Sequence, residues 1–213
     1  FAACGKLFSS LFGMNYMTAM IISAVVIVAY TTAGGFFAAS ATDFVQSIIM
    51  TVAIVFVLVF STISAGGIDV VVENAKALPG YLSLTASYIE DTGKSEPYNL
   101  LHIITTLSWG LGYFGMPHIL LRFMAIEDEK KLKLSRRVAS VWVVIAMAMA
   151  VLIGVVGRAL SNTGLVDQLH GNDTETIIVR VAHLLSTYGA FPAIMAGLIL
   201  AGILASTMST ADS

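Results

Sequence analysis

Residues 108–119 read Ser-Trp-Gly-Leu-Gly-Tyr-Phe-Gly-Met-Pro-His-Ile, and this stretch decides how the chain is organised. It lies within an apolar run, residues 102–124, that is long enough to cross a bilayer at about 1.5 Å per residue. Its three glycines weaken a helix, while Pro117 has no amide proton and its ring crowds the carbonyl of Tyr113. Backbone groups near residues 113–116 are then left unpaired, which is tolerated only inside protein or beside a polar cavity. The sequence therefore predicts a broken membrane span with a binding site at the break.

The composition indicates a membrane protein. Hydrophobic residues make up 57% of the 213 residues and charged residues 11%, whereas soluble domains carry about 25% charged residues. Mean hydropathy is +0.88. A net charge of -2 gives no indication of a nucleic-acid partner, and the single cysteine, Cys4, excludes an intrachain disulfide or a multi-cysteine metal site. No motif of an enzyme active site is present, so we expect no enzymatic activity.

Five apolar runs have the length of a membrane span. They are residues 16–37, 43–64, 102–124, 136–158 and 190–213. Gly34-Gly35 is expected to close the first run, and residues 40–43 to cap the second through Thr42 and Asp43. The chain has no initial methionine and ends inside an apolar run, so we expect it to be a fragment whose first 13 residues follow an earlier span.

Charge distribution predicts the orientation of these runs. Residues 122–137 hold six of the eleven basic residues, so the positive-inside rule makes the loop 125–135 cytoplasmic. The connections 65–101 and 159–189, which are mainly acidic, are then external. Within them, residues 71–78 and 173–185 have helical spacing and predict two short helices. These helices could act as lids, or could simply pack over the bundle.

Trp109, Tyr113 and Pro117 recur every four residues around the predicted break, with Gly115 and Met116 beside them. On a helical path this spacing puts two aromatic faces and a rigid ring on one side, which suits the apolar part of a small ligand. The exposed half-helix ends would offer amide donors and carbonyl acceptors to its charged groups. The alternative is an aromatic stripe packed around a structural kink. The density of glycine favours the binding site, because a kink needs only one proline.

Ser206, Ser209 and Thr210 occupy positions i, i+3 and i+4 of the last run, so three hydroxyl oxygens share one helix face. Hard cations such as Na+ take oxygen ligands. The alternative, which is the commoner behaviour in membrane helices, is that these hydroxyls bond back to their own backbone or join helices.

Two carboxylates, Asp43 and Asp212, lie at or within predicted spans, where ionisable residues usually have a function. We expect them on an ion pathway. For Asp43 a helix cap at the water interface is the alternative. Asp212 could also pair with a residue outside this sequence. His118 is interpreted as a hydrogen-bonding helix residue rather than a ligand.

Together these residues resemble the sodium:solute symporter family, and in particular its sodium/proline branch. The blocks that carry the resemblance are Gly34-Gly35-Phe36, Thr42-Asp43-x-x-Gln46, Trp109 to His118 with Arg122-Phe-Met, Arg136-Arg137, and Ala201-Gly-Ile-Leu-Ala with Met208-Ser-Thr210. They extend over nearly the whole chain.

The resemblance implies an all-α membrane protein with the LeuT-type fold, built from two inverted five-helix repeats. Residues 1–213 would form part of one transmembrane domain, from the fourth to the eighth core helix. The sixth core helix would be unwound at Trp109 to Pro117 and would bind proline there. The eighth would bind Na+ through Ser206, Ser209 and Thr210, together with carbonyls of the first core helix, which this sequence lacks. Asp43 would assist release of sodium toward the cytoplasm.

Three positions depart from the best-known proline carriers: Met116 replaces Gln, Ala41 replaces Trp and Ser206 replaces Ala. The expected function is uptake of a small zwitterion, foremost L-proline, coupled to Na+ entry through the plasma membrane. The alternatives are a symporter for another small organic solute and a substrate sensor of the same fold fused to a signalling domain. A channel is disfavoured because a closed aromatic site suits occlusion. The sequence does not specify the oligomeric state.

Overall fold

The computed structural model describes residues 1–89, 92–113 and 115–212, and within that part of the chain the fold is helical apart from one short hairpin. The elements are α1 (Ala2–Phe12), α2 (Tyr16–Ser64), α3 (Ile68–Lys76), β1 (Ala86–Ile89), β2 (Lys94–Pro97), α4 (Leu100–Tyr113), α5 (Pro117–Met124), α6 (Glu129–Asn162), a 3-10 turn (Gly171–Thr176), α7 (Ile177–Ser186) and α8 (Ala190–Asp212).

Among the described residues, three helices are long and apolar enough to cross a membrane: α2, α6 and α8. The predicted count of five spans is not confirmed. The first two predicted runs form one long helix, α2, and the third is divided between α4 and α5. The predictions for residues 136–158 and 190–213 fall within α6 and along α8.

A single residue, Gly35, interrupts α2. Its φ of 59° and ψ of -158° lie in a region that is essentially restricted to glycine, and helix continues on both sides. The predicted cap at residues 40–43 is wrong, because these residues lie inside the second part of α2. Thr42 instead donates its hydroxyl hydrogen bond to the carbonyls of Ala38 and Ala39, at 2.9 Å in each case. Asp43 is therefore not a helix cap either.

The two connections predicted to lie on one side of the membrane contain the expected short helices. Helix α3 covers most of the predicted residues 71–78, and the 3-10 turn followed by α7 covers residues 173–185. The antiparallel hairpin of β1 and β2, in which Ala86 pairs with Pro97 and Ile89 with Lys94, was not predicted from the sequence. Residues 90 and 91 lie outside the described part of the chain.

The described contacts divide the chain into two units, residues 1–64 with 149–213, and residues 65–148. In the second unit, strand β1 pairs with strand β2. Tyr81 packs edge-on against Tyr88 of β1, with ring centroids 6.5 Å apart. The single-domain organisation stays a prediction.

Helices α2 and α8 form the core of the first unit and run antiparallel. A Cβ added at Gly202 would lie 2.7 Å from the Cβ of Ala53, so the two backbones approach closely there. Nearer the other end of the pair, the rings of Phe60 and Tyr188 meet edge-on at 6.0 Å, just before α8 begins. Because α2 advances from Ala53 to Phe60 while α8 goes back from Gly202 toward Tyr188, the two helices have opposite directions.

Helix α1 packs against the same unit through two polar contacts. The Cys4 thiol donates a hydrogen bond to Thr207 Oγ1 at 2.9 Å, and Lys6 forms an ion pair with Glu175. Hydrogen bonding to Glu175 raises the pKa of the Lys6 ammonium. Both partners of this pair are exposed, so solvent screens it and it adds little to stability.

Replacing Gly202 by valine should weaken the α2–α8 contact, because the new side chain would collide with Ala53. Overpacking of this kind costs about 1–3 kcal/mol. We expect a lower midpoint of thermal unfolding for the purified protein in detergent. The matched control is Gly197→Val on the same helix, where an added Cβ meets nothing within 4 Å. Equal midpoints for the two variants would contradict the close approach.

Candidate functional site

The predicted break is present, between the end of α4 at Tyr113 and the start of α5 at Pro117. Met116 has an extended backbone, with φ -66° and ψ 130°, as expected for a residue that precedes proline. The expectation that all backbone groups here are unpaired is wrong for two amides. Gly115 N–H donates to Gly112 O at 3.1 Å and Met116 N–H to Tyr113 O at 3.2 Å, because the chain tightens into 3-10 type turns.

Three rings follow one another across the break. The centroids of Trp109 and Tyr113 lie 5.8 Å apart, and Tyr113 meets His118 edge-on at 6.1 Å. Trp109 is 74% exposed and Tyr113 is 47% exposed, so a large part of each side chain is accessible. Spacing predicted the first pair correctly. The contact of His118 was missed, because that residue lies beyond the helix break and helical spacing does not apply there.

The hydroxyls of α8 lie on one face, as the spacing predicted. Ser209 Oγ and Thr210 Oγ1 both donate to the carbonyl of Ser206, at 3.2 and 2.9 Å. This is the back-bonding that the alternative interpretation describes, but it uses only the hydroxyl protons. A hydroxyl oxygen that donates its proton still carries lone pairs, and oxygen is the ligand atom that a hard cation takes.

Ser206 also borders an apolar cavity of about 270 Å³ between α2 and α8. Its other walls include Met50, Ala53, Ile199 and Gly202. The hydroxyl residues in its lining are Ser206 and Thr207, and Ser209 and Thr210 do not border it. The cavity lies in the first unit, whereas residues 109–117 belong to the second.

Of the two predicted carboxylates, the structure describes the side chain of Asp43 but not that of Asp212. Asp43 is half-buried inside α2, eight residues after the Gly35 interruption. Asp212 is the last residue of α8, and its side chain lies outside the described part of the structure. A further polar side chain, Gln46, is 9% exposed on α2, and the sequence analysis gave it no role. Its signal in the sequence was an amide in an apolar run, one turn after Asp43.

Three long apolar helices among the described residues indicate a helical membrane protein. A family model described as the sodium:solute symporter family matches residues 1–213, and the chain therefore belongs to that family. The family and the apolar helices indicate a multi-pass protein of the plasma membrane. No solved structure matches the chain significantly.

Several relatives with assigned names align with the whole chain. It is 36% identical over 213 residues to "Sodium/proline symporter 2" of Staphylococcus saprophyticus, covering 100% of this chain and 38% of the relative. It is 38% identical over 210 residues to "High-affinity proline transporter PutP" of Bacillus subtilis, covering 98% and 41%. A "Sodium/proline symporter" of Staphylococcus aureus is 35% identical over 213 residues. The chain thus spans about two-fifths of the length of these relatives.

Replacing Pro117 by alanine should close the break, because the new amide can donate to the carbonyl of Tyr113 and helix can continue. We expect slower hydrogen–deuterium exchange of the backbone amides of residues 115–119, by about tenfold or more. Pro192→Ala is the matched control, since Pro192 lies in the first turn of α8, where amides lack helical acceptors. Unchanged exchange at residues 115–119 would show that glycine alone maintains the break.

Proposed function

We propose that this chain is part of a secondary transporter that couples Na+ entry to the uptake of a small zwitterionic amino acid, foremost L-proline. The observation that carries the proposal is the alignment of the whole chain with sodium/proline symporters, in a protein whose aromatic residues flank a helix break. The LeuT-type arrangement of the core helices is part of the same proposal.

The substrate site is proposed at the α4–α5 break, formed by Trp109, Tyr113, Gly115, Met116 and Pro117. The aromatic rings would contact the aliphatic ring of proline through their exposed faces. At the start of α5, Pro117 has no N–H, and the amides of Ile119 and Leu120 donate to the carbonyl of Met116 at 3.0 and 3.1 Å. The amide of His118 is therefore proposed as the donor to the substrate carboxylate. The last carbonyls of α4 can accept from an ammonium group. Met116 replaces the Gln of the best-known proline carriers, so we expect it to have the largest effect on the preference for proline over other solutes.

The ion site is proposed on α8, at Ser206, Ser209 and Thr210. Bound Na+ would supply a positive charge that favours one conformation of the transporter over the other. The hydroxyls of Ser209 and Thr210 would bind the ion through oxygen lone pairs, because their protons are turned to the Ser206 carbonyl. Asp43 and Asp212 are proposed to lie on the path by which the ion leaves. In this scheme residues 125–135 are cytoplasmic, and residues 65–101 and 159–189 external.

The test of the transport proposal is uptake of radiolabelled proline by vesicles that contain the full-length protein. With an inward Na+ gradient we expect accumulation, and with choline in place of Na+ we expect none, because binding of the ion favours the state that binds substrate. Equal uptake in both conditions would defeat coupling to Na+. Absence of uptake in both would defeat proline as substrate, and unlabelled solutes of similar size could then be compared.

Removal of a hydroxyl from the ion site should weaken the response to Na+. In Ser209→Ala or Thr210→Ala we expect the Na+ concentration for half-maximal uptake to rise about tenfold, since a bond to a charged group is lost. Thr207→Ala is the control. Its hydroxyl lies next to Ser206 along α8 but is engaged elsewhere, since it accepts a bond from Cys4 and donates to the carbonyls of Ile203 and Leu204. An unchanged half-maximal concentration in both site variants would exclude this ion site.

A further inference from the structure

Gln46 is a buried polar side chain on α2. It is 9% exposed, and its Oε1 has no hydrogen-bond partner in the part of the chain that the structure describes. A buried acceptor without a partner costs free energy, so a native protein usually supplies a water, an ion or another state in which a partner is present. The position of Gln46 indicates which of these applies.

The position follows from the packing of the two helices. The buried residues of α2 after Gly35 form one stripe: Ala39, Gln46, Ala53, Val57 and Ser61. Ala53 is the residue that meets Gly202 of α8. Gln46 comes two helical turns before Ala53, and Ser209 comes two turns after Gly202. Because the helices are antiparallel, Gln46 is level with Ser209.

The two helical turns from Gly202 to Ser209 also stay on one face of α8. Gly202, Ser206 and Ser209 are spaced i, i+4 and i+7, which keeps them on one side of a helix. The side of α2 that carries Gln46 and the side of α8 that carries the hydroxyls are thus the two sides that pack together. One turn beyond Gln46, Asp43 continues the series of oxygen atoms on α2.

We propose that Gln46 Oε1 is a further oxygen ligand for the coupling cation, on the α2 side of the hydroxyl cluster of α8. This inference rests on the ion site proposed above and adds a residue to it. A neutral amide oxygen suits a monovalent hard cation, because it supplies a strong dipole without the desolvation cost of a second buried carboxylate. The ion would move from the hydroxyls to Gln46 and then to Asp43.

A second residue of the stripe, Ser61, shows that burial without a partner does not by itself indicate an ion ligand. Ser61 is 2% exposed, and its Oγ also has no partner in the described residues. It lies four turns after Gln46, however, near the beginning of α8 and far from the hydroxyls. Ser61 is therefore the matched control, with the same helix, the same stripe and the same lack of a partner.

The competing interpretation is that Gln46 joins the helices, as amides do in membrane proteins. Equilibrium binding of radioactive Na+ to the purified full-length protein separates the two, because it does not depend on transport. Gln46→Met keeps the length of the side chain and removes its oxygen. We expect it to raise the half-saturating Na+ concentration about tenfold, and Ser61→Ala to leave that concentration unchanged. Values for Gln46→Met within twofold of the wild type would overturn the proposal.

Two further variants, Gln46→Glu and Gln46→Asn, extend the test. Gln46→Glu keeps an oxygen at the same place, and we expect it to bind Na+ at least as tightly as the wild type. If Gln46→Met fails to fold, Gln46→Asn, which withdraws the oxygen by one methylene, should still raise the half-saturating concentration severalfold, and an unchanged value overturns the proposal. Ser209→Ala is measured alongside. If it weakens Na+ binding and the Gln46 variants do not, only the role of Gln46 fails, whereas a wild type that does not bind Na+ overturns both proposals.

Discussion

The structure depends on one constraint, which is that backbone amides and carbonyls inside a membrane need hydrogen-bond partners. A helix satisfies it, and each departure from a helix in an apolar run has to be compensated. Two departures among the described residues use different means. At Gly35 one residue takes a conformation that only glycine tolerates, and helix resumes at once. Between α4 and α5, Gly115 and Met116 lie outside the helices, and tight turn bonds satisfy the amides of both.

The second break could be predicted closely from the sequence, because the covalent structure of Pro117 forbids the bond that a continuous helix needs. The first break was predicted at Gly34-Gly35 and lies at Gly35, but the start of the helix after it was predicted too late, for a reason that is equally physical. Thr42 can cap a helix or bond back to a carbonyl inside one, and both use the same hydroxyl. The preference for residues such as Thr42 and Asp43 at helix starts therefore predicted a cap where the structure has continuous helix. The glycine at position 35 was the more informative signal.

The candidate sites likewise contain contacts that helical spacing predicts and contacts that it does not. Spacing along one helix predicted that Ser206, Ser209 and Thr210 share a face and that Trp109 lies near Tyr113, since helical geometry fixes both. It could not predict the contact of His118 with Tyr113 or the burial of Gln46. The first depends on the path of the chain through the break. The second depends on which helix packs against α2, and small residues at Ala53 and Gly202 decide that.

The close contact at Gly202 has consequences for the polar groups on either side of it. Where two backbones approach over glycine and alanine, neither helix can rotate without a collision, so the buried stripe of α2 is fixed toward α8. Gln46 and Ser61 are carried on that stripe, and their burial follows from the packing of their apolar neighbours. The packing energy of the interface thus compensates for burying the Gln46 amide, whose Oε1 has no partner among the described residues. The ion site proposed between α2 and α8 would then be preorganised, since its ligands would be positioned before any ion arrives.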